Sequence, residues 1–534
     1  MIGELFKKAA RLAWFLPGFL LWAAFPPMCE RTDCLFALAP LLWLSRQGDP
    51  KVSASRWFQS GIFFWVATLS WMPAIVKNGG PWPLVVLGWL ALGAYCAAYF
   101  AAFGWLSASY WRWARRTVLF RLGGILVVEP VLWCGLELVR ANLFGGFAWN
   151  QLGVVPANSG FGAPAALGGV YLLSAVVLLV NGTVAGIAER FVAGFKAQRG
   201  RPYDATALSR WRTAETALVF GVIWGVYALT SAVRPAEDPA AEMVKVALVQ
   251  RNFPCVFKSQ DENPRNVYGR LLDIVSEHRP DLVVLPESAM CEFSPLDQAG
   301  AMRFSAWVRE KTGAALLAGG TRYAEGETFN SAGLYDGDLS VYDKVHLVPF
   351  GEFIPGDRIF PALQKFAPVG SCMAGEPKLL VWRRGEGRAP VRLGVAICFE
   401  DTDGALVRRF AALGAEALVF ITNDSWFSHS NEALAHAWQA TARAVETGLP
   451  VLRVGNSGVT GVILPDGSVT WLVGADGRPL VDRSGTMCDR VRLARRPSPY
   501  VRLGDWPLTV LFALLMTGMI LVKYSKYKRR KDLL

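Results

Sequence analysis

A thiol, a carboxylate and an ammonium, widely separated in the chain, have the chemistry needed for covalent catalysis. Cys398 closes the run Leu393-Gly394-Val395-Ala396-Ile397. Such a run reads as a buried strand that ends abruptly, with the thiol on the turn that leaves it. From Asp403 to Ala415, apolar residues recur near a helical period at Leu406, Phe410 and Leu413. A helix should therefore follow the turn, and its positive end close by would favour a thiolate. A lone cysteine closing an apolar strand is more often a small buried hydrophobe. Glu400 and Asp401 beside it would also raise its pKa. To act, Cys398 needs a base and a cation from elsewhere.

The chain offers one of each. Leu282-Val283-Val284-Leu285-Pro286-Glu287 repeats the arrangement of a buried strand followed by a reactive group. Pro286 stops the strand and puts Glu287 at the open edge of a sheet. Alone, Glu287 is a turn or capping acid; beside Cys398 it is a general base for the thiol proton. Ser340-Val341-Tyr342-Asp343-Lys344 alternates like a strand, and Lys344 alone is a solvated strand charge. Near the sulfur it would stabilise the thiolate and the oxyanion of a tetrahedral intermediate. Glu352, after the Pro349-Phe350-Gly351 break, could hold Lys344 or line a cleft.

Composition says where such a site would stand. Of the 534 residues, 53% are hydrophobic and 18% charged, and mean hydropathy is +0.29. That balance belongs to integral membrane proteins. The net charge of +12 lies in short clusters between apolar runs, with no basic stripe carrying aromatics, which argues against nucleic acid as a partner. Nine cysteines in a chain this long are no disulfide framework, although Cys29 and Cys34 share a short polar loop and could pair. With four histidines, no H-E-x-x-H and no paired C-x-x-C, neither a metal site nor another cofactor is expected.

Lys7, Lys8 and Arg11 precede an apolar stretch at 12–25 that lacks a small-x-small cleavage site, so it reads as an uncleaved first span. Further apolar segments occupy 35–44, 57–76, 84–110, 117–133, 163–184, 214–233 and 506–522. This makes about eight spans, the first two short for the ~20 residues that a crossing helix needs. With a cytosolic N-terminus, the inside segments collect Arg46, Lys51, Arg56, Arg112, Arg121, Arg190, Lys196 and the basic tail from Lys523 to Lys531. The outside loops between spans hold only Arg31, Lys77 and Arg140. That asymmetry orients the chain and sends the long segment before the last span outside the cytosol. In that segment, from about Met243 to Leu503, strand-like runs alternate with helix-periodic stretches, the pattern of an α/β domain with a large sheet. Pro465-Asp466-Gly467 marks a hairpin there, and 235–242 reads as a polar linker. Phe350 to Pro368, with Phe353, Ile354, Phe360, Leu363 and Phe366, is either a packed Ω-loop or an amphipathic flap touching the bilayer.

Glu287 after Leu-Pro, Lys344 ahead of Leu347-Val348-Pro349-Phe350-Gly351-Glu352-Phe353, and Cys398 in Gly394-Val395-Ala396-Ile397-Cys398-Phe399-Glu400 resemble the Glu-Lys-Cys set of the nitrilase (carbon-nitrogen hydrolase) superfamily. With spans on both sides, the whole chain is similar to the apolipoprotein N-acyltransferase family. The likeness includes Gly146-Phe147-Ala148-Trp149-Asn150, Asn423-Asp424-Ser425-Trp426-Phe427, His436, Arg443-Ala444-Val445-Glu446 and Asn456-Ser457-Gly458-Val459-Thr460. The resemblance implies an α-β-β-α sandwich joined to an all-α membrane bundle. The bundle would cover 1–234, a periplasmic nitrilase-like domain 235–505, and a last span with a basic cytosolic tail 506–534. It implies Cys398 as nucleophile, Glu287 as base and Lys344 as oxyanion stabiliser, with Glu352 and Glu400 in support. Trp149, Phe353, Phe399, Asn423 and Trp426 become candidates to meet substrate.

Three departures stand out. Phe399 replaces a frequent Tyr after the cysteine, and Leu449 a common Arg. Phe257 and Ser259 lie where the family places a lid tryptophan. The implied reaction, in the bacterial inner membrane, moves a fatty acyl chain from a phospholipid such as phosphatidylethanolamine through a Cys398 thioester. The acceptor is the α-amine of the diacylglyceryl-cysteine of an apolipoprotein. A membrane-anchored amidase using the same three residues, or a non-catalytic lipoprotein-binding protein, are the rival readings. The many spans and the intact set of three disfavour them.

Overall fold

The computed structural model describes residues 12–114, 117–197, 205–234, 239–254, 263–291, 294–354 and 371–531. The expected lid position and most of the apolar 350–368 stretch lie outside these residues, as does half of the 235–242 linker. The chain divides into two compact units. One holds the helices up to Pro73, from Pro81 to Val233 and from Leu503 on; the other holds Ala74–Gly80 and Arg234–Arg502.

Six helices among the described residues are long and apolar enough to cross a membrane: Pro50–Asn78, Trp82–Ala114, Val118–Gly145, Ala165–Glu189, Thr213–Val233 and Trp506–Ser525. The first two apolar segments instead give short helices, Leu16–Ala23 and Ala39–Arg46, of eight residues each. Eight residues rise only about 12 Å, well short of the ~30 Å of hydrocarbon, so neither crosses by itself. Arg46, which the sequence suggests as an orientation charge, is buried. Its Nη2 lies 2.8 Å from Glu129 Oε2, and Nη1 donates to Gly182 O at 2.9 Å. Trp111 Nε1 and Ser107 Oγ donate to Glu129 Oε1. Charges in an apolar bundle persist where such hydrogen bonds complete both partners. Cys29 and Cys34 are free thiols, and Cys34 Sγ donates to Arg31 O.

The described residues of the second unit form twelve strands: β1 (Met243–Gln250), β2 (Leu282–Val284), β3 (Ala315–Ala324), β4 (Glu327–Tyr335), β5 (Leu339–Asp343), β6 (Leu379–Trp382), β7 (Val391–Ile397), β8 (Ala417–Thr422), β9 (Val451–Gly455), β10 (Gly461–Ile463), β11 (Val469–Trp471) and β12 (Gly485–Arg492). They form two six-stranded sheets, in the orders β12-β1-β2-β3-β4-β5 and β11-β10-β9-β8-β7-β6. β1, β2 and β3 run parallel, as do β7, β8 and β9. The longer helices among the unit's described residues are α1 (Pro264–Ser276), α2 (Ala299–Thr312), α3 (Gly404–Ala412) and α4 (Glu432–Thr447).

Alternation along the strands explains the sandwich. Val246 and Leu248 of β1, with Leu282 and Val284 of β2, share a core with Val395, Leu418 and Phe420 of the other sheet. Their neighbours Ala247, Val249 and Val283 face the opposite way, against Tyr268 and Leu272 of α1 and Phe304 and Val308 of α2. Successive side chains of a strand point to opposite faces, so an unbroken apolar run marks a strand covered on both sides. The expected hairpin is present, with β10 and β11 paired from Gly461↔Trp471 to Ile463↔Val469 around Gly467.

Candidate active site

Two of the key side chains follow the carboxyl ends of parallel strands, where α/β sheets open their clefts. β2 ends at Val284, and Pro286 turns the chain so that Glu287 leaves the sheet. This turn lies hard against β3, where a Cβ on Gly319 would fall 2.6 Å from Glu287 Cα. β7 ends at Ile397, and Cys398 follows with φ +55°, a left-handed backbone that a side chain with Cβ seldom adopts. Lys344 comes directly after β5, which runs antiparallel to β4.

The expected helix after Cys398 is delayed. A 3-10 turn spans Cys398–Thr402, and α3 begins only at Gly404. Asp403 caps it by accepting from Ala405 N and Leu406 N, so a carboxylate, and not the thiol, satisfies the positive end of the helix.

Lys344 is only 1% exposed, which rules out the solvated strand charge. Its Nζ lies 2.9 Å from Glu352 Oε2 and 3.9 Å from Glu287 Oε1. Asn330 Nδ2 bridges the two acids, donating to Glu287 Oε1 at 2.8 Å and to Glu352 Oε1 at 2.6 Å. Val348 N donates to Glu352 Oε2 at 2.8 Å. Burial alone would lower the Lys344 pKa, but Glu352 and Glu287 hold it above its ordinary value, so the group is an ammonium. Burial also raises the pKa of Glu287, against the pull of Lys344. Glu287 and Cys398 are near enough for each to shift the pKa of the other. Burial, and then the charge on Glu287, push the Cys398 thiol well above its usual range, and Lys344 opposes them. The resting site thus holds a protonated thiol, where the sequence suggested a thiolate favoured by a helix end.

Glu400 serves the backbone around the site. It is buried and accepts from Tyr342 Oη, Val345 N, His346 N and Ile397 N, tying the Cys398 turn to the backbone that carries Lys344. Burial carries its pKa up to about 7, against Lys344 and the backbone donors. Phe399 is half-buried, edge-on to His346 at 5.8 Å between ring centroids. Phe353 is half-buried and Trp426 is exposed. Asn423 Oδ1 accepts from Asn456 Nδ2 and Ser425 Oγ, which fixes its turn. Asn78, of the Ala74–Gly80 segment in this unit, donates to Trp426 O at 2.8 Å. Trp149 belongs to the helical unit, where its ring is buried between Trp71 and Phe147.

Asn330 was not legible in the sequence. It sits in the polar strand β4, and only the pairing of β4 with β5 sets it beside Lys344, whose N–H it receives at its own carbonyl.

Two sheets with a cysteine, a carboxylate and an ammonium gathered at strand ends define a carbon-nitrogen hydrolase domain, and residues 245–487 match the family model described as Carbon-nitrogen hydrolase. Residues 17–183 match the model of the Apolipoprotein N-acyltransferase N-terminal domain. An apolipoprotein N-acyltransferase of Geobacter metallireducens is 30% identical over 507 residues, covering 92% of this chain and 91% of its own. That of Shewanella oneidensis is 27% identical over 539 residues, covering 96% and 94%. The chain belongs to the apolipoprotein N-acyltransferase family, and it is a membrane-bound acyltransferase with a carbon-nitrogen hydrolase catalytic domain.

Proposed function

We propose that the chain transfers a fatty acyl group from a phospholipid to the α-amine of an apolipoprotein's diacylglyceryl-cysteine, by way of a thioester on Cys398. The observation that carries this reading is the buried Lys344 ammonium held between Glu352 and Glu287, with Cys398 beside Glu287. Sγ attacks the ester carbonyl as Glu287 takes the thiol proton, and the oxyanion that forms is held by Lys344. Collapse breaks the ester bond. Glu287 returns the proton to the departing glycerol oxygen, and a lysophospholipid leaves. The acceptor amine then attacks the thioester, Glu287 takes its proton, and the thiol is restored as the amide forms. Because the thioester separates the two half-reactions, donor and acceptor need not be bound together, and the kinetics are ping-pong. Asn330 and Glu400 hold the three groups in place. The excess of Lys and Arg on alternate loops supports a periplasmic catalytic domain and cytosolic termini. Phosphatidylethanolamine is the donor assigned.

Mass spectrometry of the full chain in detergent with phosphatidylethanolamine tests the reading. A fatty-acyl adduct should appear on Cys398, be discharged by a diacylated lipopeptide, and be absent in Cys398→Ala. Transfer by Cys398→Ala, or ammonia release from small amides without any lipid adduct, would overturn it.

A further inference from the structure

Beside the Cys398 turn, five charged or ionisable side chains are buried together. α4 is buried along nearly its whole length, so its polar side chains must find partners inside the protein. His436 of α4 is 2% exposed, with Nε2 2.9 Å from Asp401 Oδ1 and Nδ1 3.0 Å from Asp424 Oδ1. A carboxylate oxygen this close to each ring nitrogen forms an ion pair that favours the imidazolium. Burial would strip that proton, but Asp401 and Asp424 carry the pKa up to about 10. Arg453 of β9 adds a second cation, its Nη2 3.6 Å from Asp401 Oδ2 and 3.8 Å from Asp424 Oδ2. Glu432 stands 3.5 Å from His436 Nδ1, and burial, with the charge on Asp424, pushes its pKa up, which favours its neutral form. Two carboxylates face two cations. Asp424, Glu432 and His436 are close enough to hold a metal ion. The imidazolium and Arg453 already neutralise both aspartates, and a protonated ring nitrogen has no lone pair to give.

The positions of the two aspartates give the cluster its meaning. Asp401 lies in the same 3-10 turn as Cys398. Asp424 opens the turn after β8 and accepts from Thr422 Oγ1 at 2.7 Å. Thr422 also stands close enough to Cys398 to lower its thiol pKa. The contacts therefore leave the sulfur through Thr422, Asp424, His436 and Asp401, and return to its own turn. A hydroxyl has one proton to give. While Thr422 gives it to Asp424, it can only accept from the thiol; released, it can donate to a thiolate.

We propose that His436 is a positioning residue for Cys398: its imidazolium ties the nucleophile's turn to the Asp424 turn and offsets the Asp424 charge, which frees the Thr422 proton for the sulfur as it ionises. This rests on the reading of Cys398 as nucleophile. The test uses the full chain in detergent, as H436Q, T422V and the double variant H436Q/D424N. The readout is alkylation of the Cys398 peptide by iodoacetamide against pH, followed by mass. H436Q, which keeps a donor and loses the charge, should move the thiol titration up by about one unit and slow alkylation at neutral pH roughly tenfold. The double variant removes one charge of each sign and should move it back. T422V should raise the titration while leaving the ion cluster whole. Acyl-enzyme formation should slow in H436Q with KM for phospholipid unchanged. A role in packing alone would lower the melting temperature yet leave the titration where it was. That result, in H436Q or in T422V, would overturn the proposal. Alkylation needs no acyl transfer, so a Cys398→Ala variant that still transferred would defeat the functional reading and leave the titration result standing.

Discussion

Glu287 must be ionised to take a proton, and its surroundings resist that. Burial raises its pKa above the ordinary 4.5 and Glu352 adds to the rise, while Lys344 pulls it down. Activity should therefore climb with pH through an acid limb centred above 4.5. Lys344, held above its ordinary 10.5, gives no alkaline loss below that pH. Glu352→Gln removes a negative neighbour from Glu287, so the acid limb of kcat/KM should shift to lower pH even as the rate falls with the loss of the main Lys344 partner. A shift to higher pH would contradict the assignment of the base. Cys398 and Glu287 could be read in the sequence because each follows an apolar run, and Lys344 because an alternating run leads into it. Asn330, Thr422 and Asp424 could not be weighed that way. Their partners come from other strands, and no local pattern reports a contact made across a sheet.

Turns decide how those residues meet. A Cβ at position 319 would sit 2.6 Å from backbone, not from a side chain that could swing aside. Gly319→Ala should thus displace the Glu287 turn. A shift near 1 Å in a catalytic group can cost about 100-fold in rate, so kcat should fall far more than the melting temperature suggests. A variant with full activity would show that this close approach is dispensable. The strands covered on both faces, such as β1, β2, β7 and β8, were legible as apolar runs. β4, β6 and β12 were not, since they mix polar and apolar residues and take their place from pairing. The periodicity of Leu406, Phe410 and Leu413 predicted α3, but Leu413 lies past its end and is 47% exposed. The 3-10 turn before α3 had no signal, because Asp403 looks the same in sequence whether it opens a helix late or sits inside one.

Across the whole molecule, the apolar segments foretold the six long spans, and the short ones failed on length alone. The Arg46–Glu129 pair was hidden because a charge at the end of an apolar segment looks like an orientation signal until its partner is seen. Glu129→Gln leaves Arg46 buried without its counter-charge and should destabilise the helical unit by about 3–5 kcal/mol. The double replacement Arg46→Met with Glu129→Leu should cost much less. Thermal unfolding in detergent checks both, and equal losses would mean that the charges matter less than the packing. A last consequence comes from the first sheet, where β12 lies along all of β1, from Met243↔Arg492 to Gln250↔Gly485. During synthesis β1 emerges early and must wait, one edge bare, until nearly the entire catalytic half has left the ribosome. Its mate arrives just before the last span, Trp506–Ser525, is made. A nascent chain stalled short of Gly485 should therefore be protease-sensitive and prone to clump, and one stalled beyond Arg492 should resist digestion.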